Sequence, residues 1–125
     1  MKLRIKGNSI RLRLSQTEVD QLQLNNQISD EVAFAEEQKL VYILTIVDAN
    51  TFSISFIDSE IKIQLPETAA RQWLNPSEVS LSTTVKKENI ELKLLVEKDF
   101  SCLKKRPHED ESDLFPHPDS KTSAC

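Results

Sequence analysis

Five cations crowd the first fourteen residues, Lys2, Arg4, Lys6, Arg11 and Arg13, with no acid among them. Within each run they recur every second residue, the period that puts side chains on one face of a β-strand. Arginine forks displayed in this way suit bidentate recognition of carboxylate or phosphate. At the other end, residues 107–120 hold Glu109, Asp110, Glu111, Asp113 and Asp119 with no Lys or Arg. In an extended chain Glu109, Glu111 and Asp113 point to one side with the same period. The tail is therefore a candidate partner for the basic face, with Phe115 of Leu114-Phe115-Pro116 as its apolar anchor. The competing reading is a solvated basic face whose long side chains splay apart, beside an acidic tail kept for solubility.

Other chemistries fit less well. Nucleic acid is disfavoured by the net charge of −4 and by the lack of an aromatic residue in the basic run to stack on bases. A single glycine rules out a glycine-rich phosphate loop or a dinucleotide fingerprint. The Glu-x-Glu-x-Lys pattern of triphosphate-tunnel enzymes is absent, with Glu60-Ile61-Lys62 and Glu91-Leu92-Lys93 only fragments of it. Cys102, His108, His117 and Cys125 fit no familiar zinc spacing. Cys102 with His108 lacks an orienting acid for nucleophilic chemistry, and Ser101-Cys102-Leu103-Lys104 is an isolated S-x-x-K match. No catalytic residue, metal ligand or cofactor is assigned.

The elements that must carry the cations are hairpins. Gly7-Asn8 suits a two-residue turn between residues 2–6 and 9–14. That turn sets Lys2 opposite Arg13, Leu3 opposite Leu12, Arg4 opposite Arg11 and Ile5 opposite Ile10. Ser15-Gln16-Thr17-Glu18 is a capping box opening a helix of two to three turns, with Leu14 and Val19 as its staple. Asn25-Asn26 is its stop. Residues 28–35 form a weak strand, and the all-apolar run at 40–47 is a central strand. Residues 51–57 and 60–65 pair about Asp58-Ser59, with Phe52, Ile54 and Phe56 opposite Leu65, Ile63 and Ile61. Pro66 suits the first position of a second helix, which buries Ala69, Ala70, Trp73 and Leu74 and ends at Asn75-Pro76. A last hairpin sets Val79, Leu81, Thr83 and Val85 against Val96, Leu94, Leu92 and Ile90 around Lys86–Asn89. No repeat is visible beyond the recurrence of hairpins.

These elements predict one α+β domain over 1–100 and an acidic, proline-containing tail over 101–125. The fold expected is a set of antiparallel β-hairpins forming a curved sheet or small, partly open barrel, with two short helices. Ile5, Ile10, Leu44, Ile54, Phe56, Ile63, Leu81 and Leu94 are expected in its core. No apolar run approaches the ~20 residues that span a bilayer, so no membrane partner is expected. The start alternates charge and hydrophobe, unlike a signal peptide. Two cysteines near the C-terminus make no disulfide framework, and a cytoplasmic setting follows.

Both ends carry a resemblance. The run from Lys2 to Val19, KLRIKGNSIRLRLSQTEV, resembles the opening of an uncharacterised family of small bacterial proteins. Val96–Leu103, with Glu109–Pro116, resembles that family's end. The likeness spans most of residues 1–118 and implies a bacterial cytoplasmic setting, with no activity attached. The function expected is a non-enzymatic binding module whose basic hairpin face engages an acidic segment, in its own tail or in a protein or other anionic partner. The alternative is an enzyme or binder acting on a phosphorylated small molecule or other polyanion.

Overall fold

Residues 1–100 together with Asp113 and Phe115 are described by a computed structural model. The elements run β1 (Lys2–Ile5), β2 (Ser9–Leu14), α1 (Gln16–Asn25), β3 (Gln27–Ala35), β4 (Gln38–Val47), β5 (Ser53–Ile57), β6 (Glu60–Pro66), α2 (Glu67–Leu74), β7 (Ser80–Lys87) and β8 (Ile90–Lys98). The fold is α+β, as its hairpin patterning predicts. The first sheet has the order β1-β2-β8-β7 and the second β3-β4-β6-β5. In one respect the sheets differ from an all-antiparallel expectation: β2 pairs with β8, and β4 with β6, in parallel. The parallel pairs put these four strands at the centre of their sheets, flanked on both edges. These four inner strands supply nearly all the buried sheet residues, among them Leu12, Leu44, Ile63 and Val96. Both sheets feed a single apolar core.

Local chemistry sets the boundaries. The first hairpin keeps the register its turn dictates, from Lys2 opposite Arg13 to Ile5 opposite Ile10, and Gly7 takes the left-handed conformation at φ 55°. Asp58 and Ser59 both have positive φ, and their hairpin sets Ile54 opposite Ile63 and Phe56 opposite Ile61. Ser15 caps α1 in a complete capping box with Glu18, and Asn26 closes the helix in the left-handed region, its amide donating to Leu22. Arg71 on α2 donates to the Asn26 side chain at 2.9 Å, tying one helix to the end of the other. Pro66 precedes α2 as its cap residue rather than its first turn, because it still pairs with Val47 in the second sheet.

Three expectations are corrected. The last hairpin is tighter than a four-residue loop allows: Lys87 lies opposite Ile90, Leu81 opposite Val96 and Thr83 opposite Leu94. Glu88 at φ 56° makes the short turn possible, and because the slip is two residues the buried face is unchanged. Phe56 and Ile5 are not core residues. They are 67% and 57% exposed, since each lies at the turn end of its hairpin beyond the reach of the opposing sheet. Ile10, Leu44, Ile63 and Leu94 are buried, with Ile54 and Leu81 partly so.

Third, the chain carries a repeat larger than the recurrence of hairpins. The chain is two ββαββ units, residues 2–47 and 53–98. Exchanging them maps β1-β2-β8-β7 onto β5-β6-β4-β3, so each sheet is the counterpart of the other. Buried residues follow the exchange: Ile10, Leu12 and Leu14 correspond to Ile61, Ile63 and Leu65, and Val19 and Leu22 to Ala70 and Trp73. Backbone contacts follow too. Lys93 donates to Asn8 in the first sheet, and Val41 donates to Ser59 in the second, both at 3.0 Å.

Candidate anion-binding face

The cations of the first hairpin share the outer face of the first sheet because the turn register aligns them. Lys2 and Arg13 form one row and Arg4 and Arg11 the next. The parallel strand β8 extends these rows with Glu97 beside Arg13, Leu95 beside Arg11 and Lys93 beside Ser9. Pairing with β7 then adds Ser80, Ser82 and Thr84. Among the described residues the surface therefore grades from a paired end to an unpaired one.

At the paired end, one Glu97 oxygen accepts from Arg13 Nε at 2.6 Å and lies 3.4 Å from Arg11 Nε. Lys2 Nζ meets the buried carboxylate of Asp99 at 2.9 Å. At the other end, neither Arg4 nor Lys6 meets a carboxylate among the described residues. Arg4, Lys6, Ser9, Arg11 and Leu95 line a recess of about 240 Å³ there. A second recess of about 150 Å³ lies between Lys2, Arg4, Arg11 and Arg13. Between them the two recesses offer five cations, a serine hydroxyl and an apolar floor, which can hold an anion the size of a carboxylate or phosphate group by charge-assisted hydrogen bonds.

Two acidic-tail candidates are described, and both are docked, though to other partners than the arginines. The Asp113 carboxylate accepts from the Thr17 hydroxyl at 2.8 Å, and the Asp113 carbonyl accepts from the Gln16 amide at 3.0 Å. It thus sits at the N-terminus of α1, where unsatisfied amides and the helix dipole favour an anion. The Ser15 hydroxyl first, and that of Thr17 next, hold its carboxyl below the ordinary aspartate value. Phe115 donates its amide to Asp99 at 2.9 Å and tilts against Phe100 with ring centroids 5.7 Å apart. Glu109 and Glu111 lie outside the described residues, as do Cys102, His108, His117 and Cys125. Among the described residues no three His, Cys, Asp or Glu side chains converge as a metal site would require.

Sequence reasoning missed four residues here, and Asp99, the partner of Lys2, is one of them. Glu97 and Lys93 reach the face only through the parallel pairing of strands more than eighty positions apart, which no local pattern reports. Lys98 occupies the place that Ile46 fills in the other unit, and it is buried. Its ammonium donates to the carbonyls of Asn75 at 2.8 Å and Glu78 at 2.6 Å, and it lies 5.8 Å from the rings of both Trp73 and Phe115. Burial pulls its pKa down from the ordinary lysine value. Lys98 thus links α2 to the tail.

A family model matches residues 1–119. The chain belongs to DUF7009, a family of unknown function. The match spans both DUF7009 units and reaches past the docked Asp113 and Phe115. No curated protein and no solved structure matches. Among the described residues of this DUF7009 chain, no helix is long and apolar enough to cross a membrane.

Proposed function

We propose that the protein is a non-enzymatic binding module, set in the bacterial cytoplasm that the resemblance of its ends implies, and that its basic face takes an acidic segment of a partner protein. One observation carries the reading: the positions of the arginine pairs have counterparts in the second sheet that are not arginine. Lys2 opposite Arg13 corresponds to Ser53 opposite Gln64, a neutral pair joined by a 2.6 Å hydrogen bond. Arg4 opposite Arg11 corresponds to Ser55 opposite Lys62. The same strand geometry is thus built without opposed arginines, so the fold does not need them.

Magnitudes point the same way. Like charges directly opposite each other in a sheet cost about 0.2–1 kcal/mol per pair. Half-exposed ion pairs such as those of Glu97 return about as much. Stability gives the arginines no net reason to be there, whereas an anionic partner does. A partner segment is favoured over the chain's own tail, because the described tail residues are engaged at α1 and Phe100.

The test is titration of the full chain with a fluorescent oligoglutamate peptide. Saturable binding at low salt is expected, weakening steeply as the screening length shrinks to ~10 Å at 0.1 M. Arg4→Ser with Lys6→Ser should abolish it. No binding at low salt, or equal binding by the variant, would defeat the proposal. Tight competition by pyrophosphate would favour the alternative, a phosphorylated small-molecule ligand.

A further inference from the structure

Among the described residues large exposed apolar side chains are few, and six of them gather at two places: Ile5 and Ile90 at one, and Val32, Phe34, Phe56 and Ile57 at the other. Each place is the turn end of a sheet. In the first sheet it is made by the Gly7-Asn8 and Glu88-Asn89 turns. In the second it is made by the Asp58-Ser59 and Glu36-Glu37 turns. The two ends are counterparts under exchange of the ββαββ units. Phe34 is 72% exposed and Phe56 67%, and with Leu40 and Val41 they line an open groove of about 700 Å³.

The counterparts differ in charge. The first-sheet end carries Lys6, Lys86, Lys87 and Lys93 against Glu88 and Glu91, and Lys86 is bridged to Glu91 at 3.7 Å. The second-sheet end carries Glu36, Glu37, Asp58, Glu60 and Glu31 against Lys39, which Glu31 already engages at 3.6 Å. Contact between two like ends would oppose like charges. Contact between unlike ends would bring opposite charges around apolar centres, the arrangement of a specific interface.

We propose that the two turn ends are the halves of one self-association surface, and that the basic Ile5/Ile90 end of one copy seats on the acidic Phe34/Phe56 end of the next. The occupant of the aromatic groove is thus a second copy of this chain. The contact is heterologous, so each copy keeps one free end of each kind, and rings or open chains follow according to the rotation between copies. This surface lies beside the outer face that binds the acidic segment and shares only Lys6 with it.

Sedimentation velocity on the full chain tests the idea with two variants, each disabling one end. One is Phe34→Ser with Phe56→Ser, and the other is Lys87→Glu with Ile90→Ser. All four side chains are exposed, and thermal melts at the wild-type midpoint would establish that both variants fold. The wild-type mass should rise with concentration and fall back as salt is added. Each variant alone should stay monomeric. Their equimolar mixture should form a one-to-one pair and stop there, because only one competent contact is left between them. A wild-type chain that is monomeric into the millimolar range would overturn the proposal. So would a mixture that forms no pair, or a variant that still associates alone. Oligoglutamate binding by the aromatic variant should be unchanged, so failure here is separable from failure of the basic face.

Discussion

The outer faces of the two sheets are built on the same plan and finished differently. One presents Lys2, Arg4, Arg11 and Arg13, and the other presents Ser53, Ser55, Lys62 and Gln64 at the corresponding positions. Beneath them the buried residues agree, Leu12 with Ile63 and Leu22 with Trp73. What the two units share is what folding requires. What they do not share has been free to serve something else, and the departures gather on the basic face, at Lys98 and at the two turn ends. Each unit is thus an internal control for the other within one chain.

The largest effect should come from the shared core. Trp73→Ala should cost about 3–5 kcal/mol and its counterpart Leu22→Ala about 2–5, from lost transfer energy plus a cavity. Chemical denaturation measures both. A loss under ~1 kcal/mol at either position would break the correspondence between the units.

A smaller effect is expected where the units differ at their helix starts. Ser15→Ala removes an acceptor for the Glu18 amide and should cost about 0.5–2 kcal/mol. The second helix has no side-chain cap at Pro66, so this dependence has no counterpart there. An unchanged denaturation midpoint for Ser15→Ala would remove the asymmetry.

Tail docking sharpens the same contrast through pH. The Asp113 carboxyl is held below its ordinary value in the docked state by Ser15 and Thr17. Its contribution is therefore present above the ordinary aspartate pKa and is lost as pH falls through the depressed one. The amide resonances of Gln16 and Thr17, followed by NMR from neutral to acid pH, should move together in that acidic window, and the Phe115 amide should lose its protection. Resonances that stay fixed to acid pH would mean that the Asp113 contact does not form.

The smallest effect should follow Phe56→Ala, within about 0.5 kcal/mol. Its side chain is 67% exposed. A loss of several kcal/mol would place Phe56 in the core after all.

Much of the local structure was legible because it is set within a few residues. Gly7-Asn8 and Asp58-Ser59 dictate two registers, Ser15 and Glu18 write a capping box, and Asn26 ends a helix. Phe56 misled because alternation reports which side of a strand a residue occupies and not how far along the strand the opposing layer reaches. The duplication was hidden because its signal is a handful of apolar positions of differing identity, such as Leu22 against Trp73. Of the site, the five cations and their rows could be read from the turn. Their counter-ions Glu97 and Asp99 could not, since they arrive through parallel pairing between the ends of the chain. The period shared by the tail and the basic hairpin suggested that they pair. Asp113 sits instead at the start of α1, where Thr17 holds its carboxylate, and Phe115 packs against Phe100.

The central claim is that the basic face is dispensable for folding and present for binding, and one graft tests it directly. Arg4→Ser with Arg11→Lys gives the first sheet the pair that the second already has at Ser55 and Lys62. Denaturation and oligoglutamate titration would be run on the same preparation. The account predicts stability unchanged or raised by up to ~1 kcal/mol as the like-charge pair is relieved, with peptide binding weakened at least tenfold. A graft that loses more than ~1 kcal/mol of stability, or that binds the peptide as the parent does, would contradict it.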